Sequence, residues 1–181
     1  MDLYRIYLSG AMQKAADYGF GWRKEFKRML HGDKRYLVID PTDYITPYTV
    51  EREKQNMTEE EFRKFFRRVV IEEDIGHVDD SDFLLLYYDG ACQQGFGSQA
   101  ECWEAYSWKI PIYTVAMVEP PWWLIAQSTK VFSTLIDASE FFRYCDPELE
   151  YAVEQKRDKL CGNKGGAGDA PLCGSHFKKL V

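Results

Sequence analysis

The chain has 181 residues, 45% of them hydrophobic and 15% aromatic, with a formal net charge of −6. That length suits one ordinary domain with a real core. The acidic balance, with a sequence pI near 5.2, argues against a nucleic-acid polymer as the main partner, because such binders carry a basic face; a free nucleotide needs only a local pocket.

Tyr4 to Leu8 reads as a first strand, left through the tight exit Ser9-Gly10-Ala11-Met12 and a polar loop to Phe20. Gly21 to Leu30 has helical spacing, with Trp22, Phe26, Met29 and Leu30 on one side and a solvated face of Arg23, Lys24, Lys27 and Arg28 on the other. His31-Gly32-Asp33 stops that helix, the glycine supplying the left-handed cap position. Tyr36 to Ile39 is a second strand, ended by Asp40-Pro41. The connection from Thr42 to Thr58 is long enough to read as a lid or binding loop. Thr58, with Glu61 three residues on, forms a capping box. It opens a helix with Phe62, Phe65, Phe66, Val69 and Val70 on one face, running to about Ile75.

An acidic stretch, Glu72 to Asp82, leads into Phe83–Tyr88. That run is apolar without alternation, the pattern of a central parallel strand covered on both faces. After a loop from Asp89 to Phe96, a helix runs from Gly97 to about Trp108, and Ile110 to Val115 is the next strand, with Pro111 confined to its start or to an edge position. Trp122 to Phe142 holds a short strand at Lys130–Phe132 and a closing helix at Ser139 to Arg143. The alternation predicts an α/β fold over residues 1–145, an open parallel sheet of about five strands with helices on both faces. Residues 146–181 read as a C-terminal helix, Glu148 to Leu160, and a mobile tail with five glycines between Gly162 and Ser175.

No apolar run approaches the roughly 20 residues that cross a bilayer. The opening Met1-Asp2-Leu3-Tyr4-Arg5 lacks the regions of a signal peptide. Five irregularly spaced cysteines fit free thiols in a reducing cytoplasm. Cys161, Cys173 and His176, with Cys145 more distant, lack the paired short spacings of a structural zinc site, so no metal is expected.

The chemistry concentrates where strands end. Gly97-Ser98-Gln99-Ala100-Glu101 opens a helix beyond the central strand and puts Glu101 one turn in, at the edge of any cleft there. A carboxylate so placed is held ionised by exposed amides and the helix dipole, and an ionised carboxylate can attack an anomeric carbon. The alternative is an ordinary first-turn glutamate that only helps the helix. Asp74 reaches a ligand if its helix end points at the cleft. Asp82 directly precedes the apolar strand, where it is placed either to cap backbone amides or to serve the site. His77 reads as a turn residue, and Glu72, Glu73, Asp79 and Asp80 as a solvated helix end.

Ile6-Tyr7-Leu8-Ser9-Gly10-Ala11-Met12, Asp40-Pro41, Asp74 to Asp82 leading into Phe83-Leu84-Leu85-Leu86, Gly97-Ser98 with Glu101, and Lys109-Ile110-Pro111-Ile112 occur in that order. The set resembles the nucleoside 2-deoxyribosyltransferase superfamily, which includes 2'-deoxynucleoside 5'-phosphate N-hydrolases. The similarity spans about residues 4 to 143. It implies a doubly wound, flavodoxin-like fold and cleavage of an N-glycosidic bond by double displacement, without metal or cofactor. It makes Glu101 the nucleophile, Tyr7 the phenol that orients it, and Asp74 an aspartate of the sugar and base site, the candidate proton donor. Ser9, Gly10, Met12, Trp22, Asp40, Asp82, Gly95, Gly97 and Ser98 are candidate substrate contacts, with Trp22, Tyr44 and Tyr48 as aromatic walls for a base.

One position departs from the pattern. Many transferases carry aspartate two residues before the glycine that opens the Glu loop, and the 5'-phosphate hydrolases tend to carry serine; here it is Gly95. Ser98, with the amides of Gly95 and Gly97, is placed either to bind a phosphate at the helix start or to act as a plain N-cap. Base exchange is the first expectation, hydrolysis of the nucleoside or its 5'-monophosphate the second, and a nucleotide-binding sensor without turnover the third. The resemblance also implies a homo-oligomer, for which Trp103, Tyr106 and Trp108 are candidate interface residues.

Overall fold

A computed structural model of the chain describes residues 3–145 and 147. The chain divides into a compact unit, Met1–Asp146, and a second, Pro147–Val181. The expected C-terminal helix, the Gly-rich tail, and Cys161, Cys173 and His176 lie outside the described residues.

The first unit holds five parallel strands: β1 Tyr4–Gly10, β2 Tyr36–Ile39, β3 Phe83–Tyr88, β4 Ile112–Ala116 and β5 Lys130–Phe132, in the order β2-β1-β3-β4-β5. Between and after them run α1 Phe20–Met29, α2 Pro47–Asn56, α3 Glu59–Phe66, α4 Glu73–Asp79, α5 Gly97–Ser107, α6 Trp122–Gln127 and α7 Leu135–Tyr144. Among the described residues no helix is long and apolar enough to cross a membrane.

Two apolar cores sandwich the sheet, as the unbroken apolar run of β3 requires. On one face Ile6, Leu8, Phe83, Leu85 and Tyr113 pack with Phe26 of α1 and Phe141 and Phe142 of α7. On the other, Tyr7, Leu84, Leu86 and Ile112 pack with Val78 of α4, Cys102 and Ala105 of α5, and Leu124 of α6. This is the doubly wound α/β arrangement. The sheet reverses its winding at β1, which lies between β2 and β3. Such a reversal opens a crevice at the carboxyl ends of the strands.

Three connections differ from expectation. The segment read as a lid or loop, Thr42 to Thr58, is largely helical. Pro41–Asp43 forms one 3-10 turn, and α2 starts behind Thr46, whose hydroxyl accepts from the Thr49 amide, with Pro47 at the first helical position. The helix begun by the Thr58–Glu61 capping box does form, but it does not stop near Ile75. A π-helical turn, Arg67–Glu72, carries it into α4 and on to Asp79, so the acidic stretch is helix and His77 is a helical residue rather than a turn. The closing helix is longer than Ser139 to Arg143, because Thr134 caps it from the Asp137 amide.

Candidate active site

Residues two apart on a strand share a face. Tyr7 and Ser9 of β1 therefore present two hydroxyls to the helix packed over them, α5. Glu101 meets both: the Tyr7 phenol donates to Oε1 at 3.2 Å and the Ser9 hydroxyl to Oε2 at 2.5 Å. Glu101 remains 7% exposed, and each carboxylate oxygen keeps a lone pair beyond its one bond. Burial pushes its carboxyl up to about 7, the Asp74 charge adds to the rise, and Ser9, Arg23 and Tyr7 oppose it. A first-turn carboxylate held firmly ionised by the helix dipole is thus not what the fold makes. Desolvation outweighs the dipole at a position four residues past the helix start.

A second acid stands across the phenols. Asp74, buried on α4, accepts a hydrogen bond from Tyr44 at 2.7 Å. Burial pushes its carboxyl up to about 6, against the Tyr44 bond and the nearby His77 and Arg23. Tyr44 and Tyr7 are electrostatic neighbours, and burial raises both phenols far above their ordinary range. Both therefore stay neutral and act as donors. The result is two neighbouring pairs, Tyr7–Glu101 and Tyr44–Asp74, two titrating carboxyls each held by a phenol that does not titrate. Pairs of acids held in different environments can divide nucleophile and proton-donor roles.

Tyr44, expected as an aromatic wall, is thus a hydrogen-bonding member of the cluster, and its ring packs on His77 at 4.8 Å. Tyr48 is exposed and meets Tyr18 edge-on at 4.7 Å. Gly10 sits at the β1 exit in register with Tyr87, where a Cβ would lie 2.8 Å from the Trp22 ring. Met12 is half-buried in the loop beyond. Gly95, extended at φ −103°, and Gly97 lead into α5. Ser98 is not the N-cap, which is Phe96. It is the second residue of the helix and buried. Ser98 and Cys92 line a small, half-open hollow with Leu86 and Tyr88 of β3 and Trp123 and Leu124 of α6, whereas Glu101 is turned toward β1. Burial pushes the Cys92 thiol up to about 11 and raises the Cys102 thiol well above its ordinary range, so neither is a ready nucleophile.

Four expectations need correction. Trp22 stacks on Tyr87, centroids 4.9 Å apart and planes within 9°, and carries the Arg23 guanidinium 4.5 Å from its centroid; its ring is committed to the fold, not open to a base. Asp40 is buried and accepts from the Thr42 amide at 2.9 Å and hydroxyl at 2.7 Å, with Lys27 at 2.6 Å, so its oxygens are spent on structure. Arg23, expected on a solvated face, is 1% exposed. Arg23, Phe26 and Leu30 are the buried positions of α1 and its cap, at the i, i+3, i+7 spacing of a helix stripe; that spacing was the available signal.

Asp82 is the fourth. Its carboxylate accepts from the Arg5 amide at 2.7 Å, at the amino end of β3 and the opposite edge of the sheet from Glu101. We expect Asp82→Ala to lower stability by about 1 kcal/mol in a denaturant titration and to leave any turnover unchanged; a loss of turnover in the folded variant would return Asp82 to the site. Among the described residues no group of three or more His, Cys, Asp and Glu is placed to hold a metal ion.

No protein-family model matches the sequence, and no curated protein matches it. The fold does find a match in a 2-deoxyribosyltransferase from the psychrotolerant bacterium Bacillus psychrosaccharolyticus, reported as a biocatalyst for nucleoside synthesis. The two share 16% sequence identity with a TM-score of 0.55, over 75% of this chain and 90% of that one. At that identity the likeness is one of fold: the present chain carries a deoxyribosyltransferase-like α/β architecture.

Proposed function

We propose that this protein cleaves the N-glycosidic bond of 2'-deoxynucleosides or their 5'-monophosphates and passes the deoxyribosyl group to another base. The observation that carries the reading is a buried carboxylate, Glu101, at the winding reversal of the sheet, oriented by two strand hydroxyls, with a second carboxyl, Asp74, held by Tyr44 close enough for its charge to raise the first. The fold shared with a 2-deoxyribosyltransferase supports it.

In this reading one oxygen of Glu101 bonds to C1' as the C1'–N bond breaks, and the bonding pair leaves with the base. Asp74 gives its proton to the departing nitrogen. Tyr7 and Ser9 keep the carboxylate aimed and hold the developing ester. A second base then attacks C1', loses its proton to Asp74, and frees Glu101. The oxocarbenium-like transition state is stabilised by whichever carboxylate is ionised beside it. No metal or cofactor takes part.

The second reading is hydrolysis, with water as acceptor. It is favoured by Gly95, which offers no side chain at the approach to α5 to hold an acceptor base. We also propose a homo-oligomer, supported by the exposed Trp103, Tyr106 and Trp108 on and just after α5, and a cytoplasmic setting, supported by the free Cys92, Cys102 and Cys145.

The test is incubation with a panel of deoxynucleosides and their 5'-monophosphates, each with and without a second free base, followed by chromatography. Exchanged nucleoside is the expected product. Free base and sugar regardless of acceptor would replace transfer by hydrolysis, and binding without any product would overturn both.

A further inference from the structure

Arg23 is the bulkiest fully buried side chain among the described residues, 1% exposed, and the reaction proposed above gives it no step. Its guanidinium donates through Nη1 to the Gly19 carbonyl at 3.0 Å and through Nη2 to the Gly10 carbonyl at 2.9 Å and the Leu8 carbonyl at 3.5 Å. Nε stands 3.5 Å from Asp40 Oδ1, an ion pair without hydrogen-bond alignment.

The backbone of β1 explains why those carbonyls need a donor. Tyr4 N–H donates to the Arg35 carbonyl just before β2, and the Arg5 carbonyl accepts from Asp82 just before β3. In a parallel ladder successive residues turn their backbone groups to opposite neighbours, so even-numbered residues of β1 face β2 and odd-numbered ones face β3. β2 ends at Ile39, opposite Tyr7. The carbonyls of Leu8 and Gly10 thus face an edge that β2 has already left, buried and without a ladder partner. A buried carbonyl without a donor is costly. The planar fork of an arginine can serve both at once, where a lysine offers a single point charge.

We propose that Arg23 is a positioning residue that stands in for the missing strand partner at the β1 exit and thereby aims Ser9 at Glu101. Ser9 lies between the two carbonyls that Arg23 holds, and its own backbone faces β3, opposite Leu86. Both edges of the segment are then fixed, and its hydroxyl has one place to point, Glu101 Oε2. The third contact, to Gly19, ties the loop between β1 and α1 to the same anchor; Gly19 takes the left-handed conformation at φ +73°. Asp40 is the buried counter-charge beside Arg23, and the partly exposed Lys27 is its closer partner at 2.6 Å. The inference rests on the reading of Glu101 as the reacting carboxylate.

The test is a double-mutant cycle of Arg23→Lys and Ser9→Ala, read in two ways on the full chain. Far-UV circular dichroism first confirms that each variant is folded; Lys keeps the charge and removes the fork. Turnover is the first readout. Arg23→Lys is expected to lower kcat by roughly 10- to 100-fold, the scale of a small misplacement of a reacting group, with KM little changed. In the Ser9→Ala background it should have no further effect. The second readout needs no substrate: a ¹³C titration of the Glu101 carboxyl, its signal assigned by loss in Glu101→Gln. The charged and titrating groups facing Glu101 are Tyr7, Asp74, Arg23, Tyr44, Cys92 and Cys102, and Ser9 is the neutral donor among its partners. Arg23→Lys should move the Glu101 midpoint upward as the Ser9 bond slips, and should not do so once Ser9 is alanine.

Effects that multiply independently, or a Glu101 midpoint that Arg23→Lys leaves in place, would overturn the proposal. A coupled titration in a protein that turns over no nucleoside would uphold the role of Arg23 and remove the reading of Glu101 as nucleophile.

Discussion

Glu101→Gln is expected to lower turnover by roughly 10⁴-fold or more, the scale seen when the attacking group itself is removed, while the protein stays folded and still binds nucleoside. Glutamine keeps the shape of the side chain and one carbonyl oxygen for Tyr7 or Ser9, but it has no charge with which to form a bond to C1'. The same substitution carries a second signature. The Glu101 carboxyl is raised from an ordinary 4.5 to about 7 in the fold, a burial penalty on the order of 3 kcal/mol for its ionised form. Below the unfolded value both states hold the proton and nothing is lost. As pH climbs toward about 7 the unfolded chain has already released its proton, the native state resists doing so, and stability falls; above about 7 the whole penalty is present. Glutamine never ionises. Denaturant melts of the two proteins should therefore diverge with rising pH between about 4.5 and 7, Glu101→Gln becoming the more stable. A variant with near-full turnover would end the nucleophile reading. A stability difference that does not change with pH would show that Glu101 is not the desolvated acid described here.

How far the sequence foretells this arrangement depends on whether the information is local. The uninterrupted apolar run Phe83–Tyr88 has only one comfortable environment, and the sheet supplies it. The capping box at Thr58 and Glu61 is local chemistry and appears as read. Thr46-Pro47 carried an equally local start signal for α2, hidden because length alone suggested a loop. Other features depend on distant partners. Arg23 reads as solvated until the early end of β2 leaves two carbonyls for it to hold. Asp40 looks like a site acid until Lys27, Arg23 and Thr42 are placed around it. The π-helical turn Arg67–Glu72, immediately before the helix that carries Asp74, has no residue signature, although such turns recur at functional sites. Glu101 was legible as a residue at a strand-helix edge, but its protonation was not, since that follows from the packing of Asp74 and β1 against it.

The largest effect after Glu101 is expected at Asp74. With carboxyls at about 6 and about 7, kcat/KM should follow a bell in pH with limbs near those values and its maximum between them. The limbs belong to the pair, because Asp74's charge is one cause of the rise at Glu101. Between them the enzyme holds one proton on the two acids. The proposed step needs that proton on Asp74, the more acidic group, and Glu101 ionised. A difference of about one pH unit means that roughly one singly protonated molecule in ten is so arranged, the rest holding the proton on Glu101. Asp74→Asn removes both the donor and the charge. Turnover should fall roughly 10²- to 10⁴-fold, the usual worth of a positioned acid. The alkaline limb should vanish, and the remaining limb, now Glu101 alone, should move below about 7 because a like charge has gone. A deoxynucleoside whose base departs without protonation should recover most of the lost rate in Asp74→Asn and gain nothing in Glu101→Gln. If Asp74→Asn keeps its alkaline limb, or is equally slow on the activated base, the proton comes from elsewhere and Asp74 serves only to hold Tyr44.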